Sequence, residues 1–362
     1  MNDRSEPEAA YRPADLTGFA TALLTHAGMP ADRAACVAER LVEADLLGHT
    51  THGLALCAGY LGEIASGAMA ASGEPTVVAD YGATAVWDGN RLSGLWLTAK
   101  AVDTAAERAR VHGIGSITIR NSHHIGCLAV FLEQAARSGL MVLLASSDPA
   151  VRAVAPYGGT TALFTPNPLA VGIPTGGDPI LIDVSASITT MGLADRLRKE
   201  GKRFPAAWAM DAAGEATDDP AVLIAEPKGT LLPVGGVDHG HKGYALALII
   251  EVLTQALSGF GRADAPTGWG ASVWVQVIDP AKFGGLDAFT RQSAFMVESC
   301  HANPPRPGGA AVRLPGEQGL ARKRAALQEG VRLYPTILPA LTSWAERYGV
   351  AMPVAIGGAG RA

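Results

Sequence analysis

The chain has 362 residues, enough for two or three compact units, and its 48 % hydrophobic and 17 % charged residues can bury a large core, which excludes disorder over most of its length. A net charge of −5 disfavours a nucleic-acid-binding surface. The 43 glycines and 23 prolines make up about 18 % of the chain, below the roughly 25–30 % that marks low complexity, so the glycine excess needs a reason of its own.

Residues 1–8 carry Asp3, Glu6 and Glu8 and no apolar run, unlike a signal peptide. Asp15, Leu16, Phe19, Leu23 and Leu24 set a helical stripe that Gly28-Met29-Pro30 ends. A second helix is predicted from about Asp32 to Leu47 and closed by Gly48, and a third over Leu54–Ser66. Past residue 75 short β-branched runs appear at Thr76–Val78, Ala85–Trp87, Ser116–Ile119 and Met141–Leu144, with helices between them at about Leu95–His112 and Cys127–Ser138. Strands are predicted at Thr160–Phe164, Ala170–Ile173, Ile180–Asp183 and Ser272–Ile278, and a buried helix over Gly240–Leu257. Asn303–Gly309 reads as a linker, and Glu317–Glu329 and Ile337–Tyr348 as helices. The alternation predicts an α/β unit. Apolar runs such as Leu140–Ala145 and Ala245–Ile250 are far shorter than the roughly 20 residues a membrane helix needs. Cys36, Cys57, Cys127 and Cys300 are scattered without CxxC spacing, which predicts neither a zinc cage nor a disulfide scaffold and fits a cytoplasmic enzyme.

The chain has no GxGxxG after a strand, no GxxxxGK[ST], no HExxH and no GxSxG. Four clusters remain. Gly48-His49-Thr50-Thr51-His52-Gly53 lies between two predicted helices, where a histidine beside a hydroxyl suits proton exchange; a helix stop with incidental histidines is the bland reading. Asn121-Ser122-His123-His124-Ile125-Gly126 follows a predicted strand, where α/β proteins place ligands, or it is a polar turn. Asp183, ending an apolar strand, is placed to accept from ribose hydroxyls or to cap a turn. Gly240-His241-Lys242-Gly243 opens a helix whose N-terminus could cradle a phosphate.

Taken in order, these clusters resemble the non-Rossmann malate/L-lactate dehydrogenase family, which includes ureidoglycolate, sulfolactate, diketogulonate and piperideine-carboxylate oxidoreductases. Further matching segments are Trp87-Asp88-Gly89-Asn90, Pro156-Tyr157-Gly158-Gly159, Asn167-Pro168-Leu169-Ala170, Leu232-Pro233-Val234-Gly235-Gly236 and Arg313-Leu314-Pro315-Gly316-Glu317. The resemblance implies a mixed-sheet α/β domain of the L-sulfolactate dehydrogenase-like type over residues 76–309, which binds NAD or NADP without a Rossmann sheet. It also implies a helical domain from both termini, residues 1–75 completed by 310–362, and a homodimer that takes a small-molecule substrate without nucleic acid or membrane. It makes His52 and His124 the candidates for proton transfer, with Thr51 beside His52. Cofactor contacts carry over to His124, Ile125, Gly126, Cys127 and Leu128, to Ser147, and to Pro179, Ile180, Leu181, Ile182, Asp183, Val184 and Ser185. His241, Lys242, Gly316, Glu317 and Gln318 complete them.

One position departs from the family. The arginine that members commonly carry four residues after the first histidine, to hold the substrate carboxylate, is Leu56 here. Tyr60 matches a substrate-contacting tyrosine of part of the family, and either Arg152 replaces the lost arginine or the substrate is not a simple carboxylate. The implied reaction is hydride transfer between NAD(P), with NAD favoured, and a small 2-hydroxy acid or 2-oxo acid, with a histidine as acid/base and no metal. The alternatives are a cyclic imino acid reductase, a catalytically idle nucleotide-binding relative, or a metal-dependent hydrolase using the histidines. On this reading Gly53, Gly126, Gly158, Gly159, Gly236, Gly243 and Gly316 let the backbone lie close to a dinucleotide.

Overall fold

The computed structural model describes residues 9–357, so the acidic start at residues 1–8 lies outside the described residues. The chain forms two compact units. One runs through Gly73 and resumes at Pro315; the other is Glu74–Leu314. The Pro/Gly-rich stretch Asn303–Gly309 thus falls inside the second unit, ahead of the point where the chain changes unit.

The first unit is helical. Helices Pro13–His26 and Ala31–Leu47 pack through Leu16, Phe19, Leu23, Val37 and Leu41, all buried. Helix Glu317–Glu329 packs on Ala31–Leu47, and Ile337–Tyr348 on Cys57–Ser66. A two-residue strand, Ala10–Tyr11, pairs antiparallel with Val331–Arg332 and ties the early chain to its last part.

The second unit is built on a seven-stranded mixed sheet. In chain order its strands are β1 (Thr76–Asp80), β2 (Thr84–Asp88), β3 (Ile114–Ser122), β4 (Met141–Ser147), β5 (Pro168–Ile173), β6 (Ile180–Ser185) and β7 (Ala271–Ile278). The spatial order is β1-β2-β3-β7-β4-β5-β6, and β2 with β3 is the parallel pair. Val273, Val275 and Val277 on β7 are fully buried, and Ser272 and Trp274 on the alternate face are buried too, so both faces of this central strand are covered. Helix Gly94–His112 packs on β3 and β7, and the segment Val252–Ala256 packs on β4 and β7. A small three-stranded antiparallel sheet (Ala209–Met210, Ala216–Thr217, Thr230–Leu231) closes a second core around Val154, Phe164, Leu231 and Trp274.

Three expectations differ from this fold. Thr160–Phe164 is not a strand; Phe164 makes one bridge to Val154, because the surrounding turns leave no room for a ladder. Cys127–Ser138 is a 3₁₀ turn, Leu128–Phe131, followed by the short helix Glu133–Arg137. The helix expected over Gly240–Leu257 is α-helical only over His241–Glu251 and widens to a π-turn over Val252–Ala256. It is not buried either, since Leu248, Ile249 and Val252 are exposed. No helix among the described residues is long and apolar enough to cross a membrane.

Candidate active site

Strand register gathers the chemistry-bearing loops at one end of the sheet. Asp88 pairs with Arg120, Ser122 with Ala271, Ser147 with Ser272 and Pro168 with Ser185, so the chain leaves β2, β3, β4 and β6 on the same side. His123-His124 follows β3, Asp148–Arg152 follows β4, and Asp183–Ser185 ends β6. Ligands in open α/β sheets bind at the carboxyl ends of strands.

His123 is completely buried, whereas His124 is half-buried. Its Nδ1 accepts a hydrogen bond from the Gly126 N–H at 3.3 Å. Its ring lies 4.6 Å from that of Trp269, tilted by 31°, and His123 meets the same indole edge-on at 5.2 Å. The Asp183 carboxylate accepts from the Ala129 N–H at 3.0 Å and from the Cys127 thiol at 3.5 Å, so it is joined to the His124–Leu128 stretch. Burial, then the Asp183 charge, holds the Cys127 thiol well above the usual range and therefore protonated. Ile125, Cys127 and Leu128 are buried, so this stretch offers a ligand its backbone and His124 alone.

The helix beginning at His241 is brought to the end of β6 by close packing at Gly243. A Cβ there would overlap the Val234 backbone and the Ala186 carbonyl, and the Val234 N–H binds that carbonyl at 2.8 Å. His241 and Lys242 are exposed on the first turn. Asp183, Val184 and Ser185 are thus grouped with Lys242, whereas Pro179, Ile180 and Leu181 are buried toward the other end of β6 and Ile182 is half-buried between. Ser147 is occupied elsewhere: its hydroxyl donates to Glu251 at 2.8 Å and accepts from Gln255 at 2.7 Å.

That contact belongs to a network the sequence did not reveal. The Glu251 carboxylate takes two bonds from Arg262, each 2.9 Å, and further bonds from Asn167 and Gln255. Arg262 also donates to the Val151 carbonyl at 2.8 Å and the Pro149 carbonyl at 3.3 Å. Asp148 accepts from the N–H groups of Ala150, Val151 and Gly270. Burial raises the carboxyl of Asp148 above its ordinary value against these hydrogen bonds. The loop so pinned presents Arg152, which is exposed and forms no ion pair among the described residues.

In the helical unit, Gly48 is left-handed (φ 90°) and closes its helix, with the His49 N–H bonded to the Ala44 carbonyl. The loop then returns under control of Asp45, whose buried carboxylate accepts from the Leu54 N–H at 2.8 Å. A Cβ on Gly53 would overlap that carboxylate. The loop so formed presents Thr51 and His52, half-buried, with Thr51 Oγ1 2.8 Å from His52 Nδ1. Tyr60 is 1 % exposed; burial, then the neighbouring Cys57, keeps its phenol protonated, and burial pushes the Cys57 thiol up to about 12. Leu56 is half-buried one turn before Tyr60. Gly316 (φ 93°) opens the helix that begins Glu317-Gln318.

The malate/L-lactate dehydrogenase family description matches residues 11–342. The chain belongs to that family. It is 35 % identical over 335 residues to the L-lactate dehydrogenase of Cupriavidus necator, covering 90 % of this chain and 94 % of that protein. It is 30 % identical over 345 residues to the malate dehydrogenase of Pyrococcus abyssi, covering 93 % and 94 %. The crystal structure of malate dehydrogenase from Entamoeba histolytica shares the fold, with a TM-score of 0.90 at 24 % identity over 96 % of this chain and all of the other. The protein is therefore an oxidoreductase of the hydroxy-acid dehydrogenase family, with a mixed sheet in place of a Rossmann sheet.

Proposed function

We propose that the protein transfers hydride between NAD(P) and a small 2-hydroxy acid or its 2-oxo acid, with His52 as the acid/base. The observation that carries the reading is the Thr51–His52 pair at 2.8 Å. With Thr51 accepting from Nδ1–H, the His52 Nε2 bears the lone pair that takes the substrate hydroxyl proton, and the imidazolium so formed keeps the same bond. In the reducing direction that proton returns to the oxygen.

The donor set suits a dinucleotide. Asp183 at the strand end can accept from ribose hydroxyls, and Lys242 on the first turn of an eleven-residue helix can hold a phosphate. The negative charge of Asp183 disfavours a 2′-phosphate on the ribose it would bind, which favours NAD. The nicotinamide, when bound, supplies or accepts the hydride. His124 to Leu128, with backbone groups and one half-buried imidazole, support a cofactor contact there, as Gly316–Gln318 do at a helix start. Arg152, free of any ion pair among the described residues, is the carboxylate partner in place of the family arginine at Leu56, whereas Tyr60, 1 % exposed, packs in the helical core. The exposed stripe Ala245, Leu248, Ile249 and Val252, at helical spacing, supports pairing with a second copy of the chain.

The test is absorbance at the reduced-nicotinamide band with 2-oxo acids and cyclic imino acids and each cofactor. Turnover of a 2-oxo acid with NADH is the expected result. Turnover of cyclic imino acids alone would overturn the substrate class, and no turnover with either cofactor the whole reading.

A further inference from the structure

The two candidate histidines differ in what faces Nδ1. His52 Nδ1 faces a hydroxyl, which can accept or donate. His124 Nδ1 faces the Gly126 backbone N–H, which can only donate. Nδ1 of His124 therefore holds the lone pair, and the proton of the neutral ring sits on Nε2. A second proton on Nδ1 would set two N–H groups against each other. A proton taken up at Nε2 would first require moving the existing one to Nδ1, with the same clash.

The ring's orientation is fixed as firmly as its tautomer. Trp269 lies against it at 4.6 Å, and the segment carrying Trp269 is held at two points. Arg91 donates to the Trp269 carbonyl at 2.8 Å, and Asp148 accepts from the Gly270 N–H at 3.0 Å. Arg91 has left-handed backbone (φ 59°), as do Asn90 (φ 50°) and Asn121 (φ 51°), a conformation unfavourable for residues other than glycine. The Arg91 N–H meets the Asn121 carbonyl at 2.8 Å, so these turns lock β2's exit to β3's exit beside the histidines. On the other flank, a Cβ at Gly94 would overlap the carbonyls of His123 and His124. Among the described residues, the charged and titratable groups on the elements packed at this corner are Arg91, Asp148, the buried His123, and Cys127 with Asp183, whose thiol and carboxylate are bonded to each other. The first two are tied to the Trp269 segment, the third packs on its indole, and the Asp183 carboxylate also accepts from the Ala129 N–H.

We propose that His124 works as a permanently neutral imidazole. Gly126 holds it in the Nε2–H tautomer, Trp269 orients it, and it donates a hydrogen bond to a carbonyl oxygen without taking up the substrate's proton. That oxygen belongs to the 2-oxo acid or to the nicotinamide carboxamide, an assignment that rests on the dehydrogenase reading above. Trp269 is a positioning residue that no sequence motif marks.

The tautomer is tested without turnover. Long-range ¹H–¹⁵N NMR of the full chain, with His124 identified by its loss in His124→Gln, should show Nδ1 bare and Nε2 protonated across about pH 5–8, where an ordinary histidine titrates. A protonated Nδ1, or an imidazolium in that range, overturns the proposal. Trp269→Ala should mix the two tautomers and Trp269→Phe should restore one; an unchanged spectrum in Trp269→Ala removes the indole's role. In kinetics, His124→Ala should cost about 10²–10³-fold, as loss of a preorganised donor does, and His124→Gln, which keeps an N–H, should stay within about tenfold of wild type. A loss in kcat assigns the oxygen to the substrate and a weaker nucleotide Kd assigns it to the carboxamide, whereas no change in either overturns the donor role. The acid/base limb of the pH profile should survive both His124 variants, and its loss would make His124 the proton carrier. If no hydroxy acid or oxo acid turns over, the dehydrogenase reading fails while the NMR result stands.

Discussion

Arg262→Met tests whether the polar node at the sheet's end holds the structure as its geometry requires. The Glu251 and Arg262 side chains are only 13 % and 14 % exposed, so removing the guanidinium leaves a buried carboxylate without its counter-charge. Breaking such a pair costs about 3–5 kcal/mol. The lower end applies here, about 3 kcal/mol, because Ser147, Asn167 and Gln255 still donate to Glu251. For a unit of this size that is a drop in Tm of about 6–12 °C. Arg262→Met combined with Glu251→Gln removes the stranded charge and should recover about 1–2 kcal/mol of the loss. Thermal melts followed by circular dichroism read both. A single variant that melts with wild type, or a double variant that loses the sum of the two singles, would refute the reasoning.

Other outcomes follow from the same geometry. His52→Ala should lower kcat by about 10²–10⁴-fold with nucleotide Kd nearly unchanged, and isothermal titration beside steady-state kinetics checks both halves. Arg152→Ala should raise KM for the acid without moving the melting temperature, because the side chain is exposed; an unchanged KM for every acid turned over removes its assigned role. Gly53→Ala should destabilise by about 1–3 kcal/mol, since its methyl meets the Asp45 carboxylate, and chemical denaturation measures it. Asp148 has a folded-state value raised by burial, so the folded state binds its proton more tightly than the unfolded chain. Its contribution to stability is full below the ordinary carboxylate value and is lost as pH rises through the higher folded value; Asp148→Asn should flatten that part of the stability–pH curve.

Most of the sheet and the helices were legible because their apolar spacing is local: Met141–Leu144 lengthens to Met141–Ser147, and Asp32–Leu47 is the observed helix to within a residue. Gly48 was legible as a stop because a left-handed closing residue favours glycine. Failure came where tertiary packing overrode the local signal. The run Ala245–Ile250 is apolar all round and reads as buried, yet its exposed ridge faces outward and the helix widens after Glu251 to put that carboxylate under Ser147. The node around Glu251 and Arg262 and the clamp from Arg91 to Trp269 join residues as much as 178 positions apart, a separation no spacing rule spans. The nearest sequence signal was the Pro266–Gly270 stretch, an aromatic residue framed by proline and glycines just before a strand.

Two of the glycines that sequence reasoning gave to a dinucleotide, Gly53 and Gly243, serve the protein's own packing, as does Gly94, which that reasoning did not single out. Gly53 admits Asp45, Gly94 admits the carbonyls of His123 and His124, and Gly243 admits Val234 and Ala186. Each of these contacts fixes a loop that carries a candidate functional side chain: His52, His124 and Lys242 in turn. Missing Cβ atoms let backbone lie on a carboxylate at Gly53 and on other backbone at Gly94 and Gly243, and that holds the loops in place. A hydrogen-bond donor or base is effective only when it is already placed for the charge that develops in the reaction. Part of the glycine excess of a weakly charged chain is then preorganisation, at Gly53, Gly94 and Gly243, and it needs no Gly-rich phosphate loop.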